Sequence, residues 1–388
     1  MPETNAYIVA ARRSALGRVG GLHRSRRIDA LTVPVIAAAI TDAQLSPDEV
    51  EEVILGNATE GSNPARLITL AAGLAETVSS TTIDRQCGSG LEAIIAAHRM
   101  IRQGDAQIVI AGGADSLSTA PWRIMRPRSL YQTPHFMRYE PAMTDSNDEP
   151  QPFEASEVLA RSLGITRAEQ DAWTLQAYEK AARAREERYF VGEIVPLRGN
   201  AEEARDESPG APDAEDLADA IPFLPDAGTL TPANTSAMYD GSAIVVVVSE
   251  AVWTRLGRPP ALKLHATASL GVSPPEEAAA PINATRKLLK QINGALDPRD
   301  IGVVELSESS AAQAIAFARS LDVDPARINP DGGAIVRGHP FGASGAVLVT
   351  RLFTDLVRRA AAEPPFRFGL VSQGAIGGMG LAALFERV

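Results

Sequence analysis

The sequence predicts an α/β layer protein built from two similar halves. Short runs rich in β-branched residues alternate with longer Ala- and Leu-rich stretches, the pattern of strands and helices packed in layers. Leu45–Val50 and Leu296–Ile301 each lead into a candidate strand, and farther along Gly88–Gly90 and Ala343–Gly345 each begin a candidate helix. The two pairs recur in the same order, 251 and 255 residues apart. This recurrence indicates a duplicated α/β unit; chance recurrence of common Leu-x-Pro and Ser-Gly turns is the alternative.

Each strand prediction rests on a short apolar run with β-branched residues, and each helix prediction on a longer stretch with helical spacing of apolar residues. In chain order the predicted strands are Ala6–Ala10, Val53–Leu55, Gln107–Ala111, Ala243–Val248, Ala261–His265, Gly302–Leu306 and Phe366–Val371. The predicted helices are Ala30–Ala43, Gly90–Arg102, Arg167–Tyr189, Ala284–Asn293 and Ala346–Ala361.

A segment of different character separates the two halves. It is rich in turn residues and charges, and its run Ala201–Ala220 has eight acidic residues against Arg205 alone, which is typical of a solvated surface. We interpret residues 117–240 as an inserted loop domain lying over one face of the core. Residues 1–116 with 241–255 then form the N-terminal half, and residues 256–388 form the C-terminal half.

The net charge of −11 argues against binding to nucleic acid or to an anionic membrane through the overall field of the protein. The most concentrated apolar run, Ala243–Val248, is too short to span a bilayer. The first residues, Met1–Thr4, lack the pattern of a signal peptide. We therefore expect a soluble cytoplasmic protein in which a polyanionic ligand needs a local basic site.

Cys87 is the single cysteine, which excludes an internal disulfide and a cysteine-clustered metal site, and no metal is expected. It lies just before a candidate helix, where free backbone N–H groups favour the thiolate. Gly88 and Gly90 leave room for approach to the sulfur. The setting predicts a nucleophile, with an inert buried thiol as the alternative.

His339 lies in Gly338–Gly345, a glycine-rich loop that also precedes a candidate helix. If the halves are duplicated, this helix is the counterpart of the helix after Cys87, and the two helix ends are expected to meet. The imidazole would then be the base that activates the thiol. The histidines without such a setting, interpreted as surface or core residues, are His23, His98, His135 and His265.

Glycine pairs and runs follow two candidate strands, at Gly112–Gly113 and Gly374–Gly380. Their spacing fits neither a dinucleotide-binding loop nor a P-loop. We expect backbone pressed against a substrate or a strand there, with N–H groups that can form an oxyanion hole.

Five motifs together resemble those of the thiolases. They are Arg85–Leu91, Gly112–Ser116, Asn234-x-Ser236-x-x-x-Asp240-Gly241, Gly338–Gly345 and Gly377–Gly380. The order and spacing of these motifs agree with those of the thiolases from Arg13 to the end of the chain, and the segment Asn63–Arg66 also matches. The resemblance implies a thiolase fold with duplicated α/β halves in five layers (α/β/α/β/α) and a loop domain inserted into the first half.

The resemblance also implies a reaction. Cys87 would take the acyl group of an acyl-coenzyme A (acyl-CoA) as a thioester, and His339 would activate Cys87 and help to hold the thioester oxygen. The coenzyme A thioester would be a substrate, with no bound cofactor, and the protein would form a homodimer or homotetramer. Contacts to the acyl-CoA are expected from Ser236, Phe341, Gly374, Gly377 and Gly378.

The sequence departs from the family at the second active-site cysteine, which moves the α-proton. Gly374, or Ala375 with a one-residue gap, stands there, and neither side chain can move a proton. A related branch has that cysteine in the loop that reads Ser307–Ser310 here. Ser307 replaces the asparagine that holds a catalytic water and can still donate one hydrogen bond. Glu308 is a candidate base, because an apolar cleft would raise its pKa.

The expected site for the coenzyme A phosphates is also unusual, because the region that commonly supplies basic residues falls in or near the acidic run Ala201–Ala220. Either the acyl group is attached to a carrier other than coenzyme A, or basic residues elsewhere in the chain bind the coenzyme A phosphates. The candidates, each with solvated surface charge as its alternative, are Arg123, Arg126, Arg128 and Arg138.

The leading hypothesis is therefore a thiolase-like acyltransferase that performs Claisen-type condensation or thiolytic cleavage through acyl-Cys87. Loss of a positioned acid/base commonly removes about 10²–10⁴ in rate, so classical activity is expected to be weak. The alternatives are a thioester hydrolase and a non-catalytic subunit that binds an acyl thioester. A decarboxylating ketoacyl synthase ranks lower, because it needs a second His or Asn where Ser307 stands.

Overall fold

The computed structural model describes residues 5–127, 129–136, 153–197, 204–208, 210–224, 228–292, 296–359 and 366–388. Its strands are β1 (Ala6–Ser14), β2 (Gly17–Arg18), β3 (Glu52–Gly56), β4 (Ser79–Ile83), β5 (Ile108–Asp115), β6 (Ile124–Met125), β7 (His135–Phe136), β8 (Ile194–Val195), β9 (Tyr239–Ser249), β10 (Leu262–Gly271), β11 (Ile301–Leu306), β12 (Phe368–Ala375) and β13 (Met379–Arg387). Its α-helices are α1 (Ile28–Asp42), α2 (Pro64–Ala71), α3 (Ser89–Gln103), α4 (Glu154–Ser162), α5 (Arg167–Glu186), α6 (Ala214–Asp219), α7 (Glu250–Arg255), α8 (Ala280–Gln291), α9 (Ala311–Leu321), α10 (Ala334–Arg337) and α11 (Ser344–Phe353).

The strands of the main sheet repeat one pairing pattern in two halves. In the N-terminal half the order is β4-β3-β5-β9-β1, with β3 parallel to β4 and β5, and β9 antiparallel to β5 and β1. In the C-terminal half the order is β11-β12-β13-β10, with β11 parallel to β12, and β13 antiparallel to β12 and β10. Val304 of β11 also bridges Ile328 in parallel, where the other half has β4. The repeated order confirms the predicted duplication.

The helices divide into one central pair and two outer pairs. α3 and α11 pack between the two halves of the sheet, in one apolar core with residues of both halves such as Val245 and Val371. α1 and α2 cover the outer face of the N-terminal half, and α8 and α9 cover that of the C-terminal half. The result is the predicted five-layer arrangement α/β/α/β/α.

The central position of α11 explains its composition. Every residue from Ser344 to Phe353 is buried, and a helix that is apolar nearly all round is stable only when it is enclosed. α11 is nevertheless short, and within the described ranges no helix is long and apolar enough to cross a membrane.

All seven predicted strands and all five predicted helices are present, with shifted ends. The helix predicted over Ala346–Ala361 begins at Ser344 and becomes a π-helical turn at Thr354–Arg358; Ala361, like Asn293 at the predicted end of α8, lies outside the described residues. The prediction misses β13. Its Ala- and Leu-rich sequence is typical of a helix, yet it forms a strand because β10 and β12 pair with it on both sides.

The segment between β5 and β9 contains β6, β7, α4, α5, β8 and α6. α5 begins with a capping box in which Thr166 and Glu169 satisfy each other's backbone N–H groups. α5 packs against α9 and α10 of the C-terminal half. The boundaries of an inserted domain at residues 117 and 240 stay a prediction.

The two central helices approach each other closely at their first turns. A Cβ atom on Gly90 of α3 would lie 2.6 Å from the carbonyl oxygen of Gly342, and one on Gly345 of α11 would lie 2.6 Å from the backbone nitrogen of Leu91. Real Cβ atoms do not approach backbone this closely, so each glycine is required by the packing of its helix against the other.

The substitution Gly90→Ala tests this packing. We expect it to lower the free energy of unfolding by about 1–3 kcal/mol, because the added methyl group overpacks a rigid backbone contact. Gly210→Ala is the matched control, since no heavy atom lies within 4 Å of its added Cβ. Urea unfolding of both variants measures the difference, and equal stability of the two would contradict the close contact.

Candidate active site

Cys87 and His339 lie at the junction of the two central helices. Cys87 precedes Gly88, the N-cap of α3, and is three residues before Gly90. His339 is three residues before Gly342, whose carbonyl oxygen lies against Gly90. The fold therefore brings the two loops that precede equivalent helices to one place, as the duplication predicts.

Cys87 is free and buried, with 8% of its surface exposed. Its carbonyl oxygen accepts a hydrogen bond from Nε2 of Gln373 at 2.5 Å. The backbone N–H of Ile376, in the loop that follows β12, lies near enough to the sulfur to lower its pKa. The sulfur thus faces the last glycine-rich loop of the chain.

Burial raises the pKa of Cys87 to about 12; the Ile376 N–H lowers it, and the charges of Asp115 and Glu277 add to the rise. A helix N-terminus contributes about 0.3–2 kcal/mol, and each pKa unit corresponds to about 1.4 kcal/mol. The effect of the helix end on the pKa of Cys87 is therefore smaller than the effect of burial. The expectation that it keeps Cys87 as a thiolate is wrong for the resting protein, in which Cys87 is a thiol.

His339 is a neutral imidazole in the resting protein, because burial lowers its pKa to about 4. Its Nδ1 atom lies 2.8 Å from Oγ of Ser344, the first residue of α11. If Nδ1 is protonated and donates to Ser344, then Nε2 is free to accept a proton. Ser344 can thus select the tautomer that a general base needs.

A cavity of about 30 Å³ adjoins His339 and is also lined by Ser307, Pro340 and Ser344. This volume suits about one water molecule. Ser307 is buried at the end of β11, and its N–H donates to the carbonyl oxygen of Ser372 at 3.0 Å. The structure therefore brings Ser307 and His339 together, while Cys87 is not part of the wall of this cavity.

The Glu308 carboxylate is bound outside the cavity beside His339. One carboxylate oxygen accepts a hydrogen bond from Nε1 of Trp173 on α5 at 3.1 Å, and the other faces Ile335 N and the Asn329 side chain. Burial raises its pKa. These contacts join α5 to the loops around α10, and Glu308 does not line the cavity beside His339; its role as a base stays a prediction.

The other predicted contact residues border the same region. The N–H of Ser236 donates to the carbonyl oxygen of Ser309 at 3.1 Å, so the loop before β9 runs beside the Ser307–Ser310 loop. Phe341 packs beside His339 with ring centroids 5.6 Å apart. Gly374, the last residue but one of β12, pairs with Gly380 of β13. Gly377 and Gly378 have φ of 87° and 79°, values that favour glycine.

The comparisons with known proteins agree with this arrangement. The thiolase N-terminal domain family matches residues 6–251, and the thiolase C-terminal domain family matches residues 258–387. The chain belongs to the thiolase family. The predicted family is confirmed, and this thiolase is an acyltransferase enzyme.

Two curated relatives and one solved structure show how closely this thiolase follows its family. An acetyl-CoA acetyltransferase of Escherichia coli is 36% identical to it, over 99% of each chain. A β-ketoadipyl-CoA thiolase of Acinetobacter baylyi is 36% identical over 99% of this chain and 100% of its own. The crystal structure of the Bacillus anthracis acetyl-CoA acetyltransferase matches with a TM-score of 0.90 and 32% identity, over 100% of this chain and 99% of that one.

Sequence reasoning misses three residues that shape the site of this thiolase. Asp115, at the end of β5, accepts a hydrogen bond from the Gly342 N–H at 2.6 Å and so fixes the loop after His339. Nε2 of Gln373, on β12, donates a hydrogen bond to the carbonyl oxygen of Cys87. Glu277 accepts a hydrogen bond from the N–H of Gly377. The Gly-Gly-Ala-Asp motif is a signal for Asp115, whereas Glu277 lies in a Pro-Pro-Glu-Glu run that is typical of a surface turn.

The predicted phosphate-binding arginines are only partly described. Arg123 is half-buried beside β6 and Arg126 is exposed just after it. Arg128 and Arg138 lie outside the described residues. In the ranges that the structure describes, no three His, Cys, Asp or Glu side chains come together as a metal site.

The pH dependence of Cys87 alkylation tests its protonation state. With its pKa raised to about 12, reaction with iodoacetamide should be slow at pH 7 and should rise about tenfold per pH unit up to pH 10, because only the thiolate reacts. N-acetylcysteine is the reference thiol and levels off near its own lower pKa. A rate for Cys87 that levels off below pH 8 would show a thiolate stabilised by the helix end.

Proposed function

We propose that this thiolase transfers acyl groups from acyl-CoA thioesters through a thioester on Cys87, with His339 as the general base. The meeting of the first turns of α3 and α11 supports this most strongly, because it places the loops of both residues at one junction. A thiol nucleophile beside a base that a third group orients is the arrangement that covalent acyl transfer requires. Ser344 supplies that third group.

The acylation step follows from the resting protonation states. Since Cys87 is a thiol and His339 is neutral, the proton moves from the sulfur to Nε2 of His339 as the sulfur attacks the thioester carbonyl. The bond between that carbonyl and the coenzyme A sulfur then breaks, and His339 returns the proton to the departing thiolate. A water in the cavity between Ser307 and His339 would donate to the developing oxyanion, as a preorganised donor.

The second half of the reaction needs a separate proton acceptor. In a Claisen condensation a second acyl-CoA loses an α-proton, and its α-carbon attacks the acyl group on Cys87. In thiolytic cleavage the same steps run in reverse. Neither Gly374 nor Ala375 can move this proton, so activity of the classical kind depends on another side chain.

Thioester hydrolysis is a second candidate, because the cavity beside His339 has space for about one water molecule. His339 could activate that water to release acyl-Cys87 as a free acid. Product analysis separates the two functions: a hydrolase gives free acid only, and an acyltransferase gives a condensed or transferred product.

We further propose that coenzyme A is the carrier, since it appears in the names of the relatives above, and that the chain needs no bound cofactor. Assembly as a homodimer or homotetramer remains a prediction from the family.

Intact-protein mass spectrometry after incubation with a panel of acyl-CoA thioesters tests the proposal. We expect an acyl mass increment on the wild type, none on Cys87→Ala, and a rate about 10²–10⁴ lower on His339→Ala because the general base is lost. Circular dichroism of the variants controls for folding. An increment that persists in Cys87→Ala, or no increment with any donor, would contradict acyl-Cys87 formation.

A further inference from the structure

A side chain in place of Gly374, where a second active-site cysteine would stand, would contact Pro281 and Glu277. A Cβ atom on Gly374 would meet Cδ of Pro281 at 3.3 Å and the carbonyl oxygen of Glu277 at 3.8 Å. Glu277 belongs to a short 3-10 helix, Pro274–Ala279, between β10 and α8. This part of the chain therefore lines the position from which the missing thiol would act.

Cys87 and Glu277 both contact the end of β12 and the loop that follows it. Nε2 of Gln373, on β12, donates to the carbonyl oxygen of Cys87 at 2.5 Å. The N–H of Gly377, in the loop after β12, donates to Oε2 of Glu277 at 3.2 Å. The Glu277 carboxylate is therefore held four residues along the chain from the residue that contacts Cys87.

Glu277 also lacks the partner that a structural carboxylate usually has. In the described part of the chain no Lys, Arg or His forms an ion pair with it, whereas the buried Glu193 is paired with Arg13 and Arg351. Glu277 is half-buried, and burial raises its pKa. A half-buried carboxylate without an ion-pair partner is a better proton acceptor than an exposed one, because its pKa is raised.

We propose that Glu277 replaces the missing cysteine as the base that removes the α-proton of the second acyl-CoA. This inference rests on the proposed acyl-Cys87 reaction.

The proposed step balances. A carboxylate oxygen of Glu277 takes the α-proton while the electron pair of the C–H bond forms the new carbon–carbon bond to the acyl group of acyl-Cys87. The bond between that acyl carbon and the Cys87 sulfur breaks and leaves a thiolate, which takes a proton from solvent because His339 has already given its proton to coenzyme A. Glu277 then releases its proton to solvent. In thiolytic cleavage the protonated Glu277 gives its proton to the departing α-carbon.

The alternative is that Glu277 only braces the loop at Gly377 and Gly378. Glu277→Gln separates the two roles, because the amide oxygen can still accept from the Gly377 N–H but cannot take a proton at neutral pH. Glu277→Asp keeps a carboxylate and shortens its reach. Glu276→Gln is the matched control, since Glu276 is exposed and its carboxylate binds the Ser273 hydroxyl. Glu308→Gln tests the other candidate base.

Two measurements on each variant distinguish the steps. Mass spectrometry gives the rate of acyl-Cys87 formation from acetyl-CoA. NMR in D₂O gives the rate of deuterium incorporation into the methyl group of acetyl-CoA. We expect Glu277→Gln to acylate within about threefold of wild type and to lose deuterium exchange by about 10²–10⁴. Glu277→Asp should exchange measurably faster than Glu277→Gln, Glu276→Gln should match wild type, and Glu308→Gln should keep exchange well above that of Glu277→Gln.

Several results would overturn the proposal. Deuterium exchange at the normal rate in Glu277→Gln, or equal exchange in Glu277→Gln and Glu277→Asp, would show that the carboxylate is not the base. Parallel loss of acylation and exchange in Glu277→Gln would show a structural role. Loss of exchange in Glu308→Gln, or a wild type that acylates without exchange, would also contradict the proposal. A wild type that forms no acyl-Cys87 would instead remove the proposed function itself, so the two failures are distinguishable.

Discussion

The structure depends on the contact between two equivalent helix ends in its middle layer. The duplicated halves place α3 and α11 side by side between the halves of the sheet, and glycines at both first turns remove the side chains that would hold the helices apart. A loop with one reactive residue precedes each helix, Cys87 in the first half and His339 in the second. The proximity of these two loops is therefore a direct consequence of the duplication, and neither half contains both residues.

A buried charge network holds this junction to the rest of the molecule. Glu193, from the segment between the two halves, pairs with Arg13 of β1 and with Arg351 of α11. Removing one partner from such a buried pair commonly costs about 3–5 kcal/mol, because it leaves a charge uncompensated. Arg351 and Glu305 also line the small cavity beside His339. The network thus stabilises the fold at the place where the site requires fixed geometry.

Much of this arrangement can be predicted from the sequence. The paired turns at Gly88–Gly90 and Ala343–Gly345 indicate the duplication, and the strand order of the two halves confirms it. Local chemistry around Cys87 and His339 marks them as candidates, and their catalytic roles stay predictions. Both features can be found in the sequence because glycine spacing and helix starts are local in the chain.

Long-range contacts limit the rest of the prediction. The direction of Glu308 is set by Trp173, which is 135 residues away, and no local pattern shows that pairing. The protonation of Cys87 depends on burial by the whole middle layer, which outweighs the local helix end. Glu277 appears in the sequence as part of a charged turn, and only the fold places it against the loop of Gly377 and Gly378.

The most direct test of the account is a crystal structure of the acyl-enzyme, obtained by soaking acetyl-CoA into crystals of the wild type. We predict an acetyl thioester on Cys87 with its oxygen or sulfur within hydrogen-bond reach of Nε2 of His339, about 2.6–3.2 Å for an oxygen. An acetyl group on another residue, or an intervening side chain that separates Cys87 from His339, would contradict it.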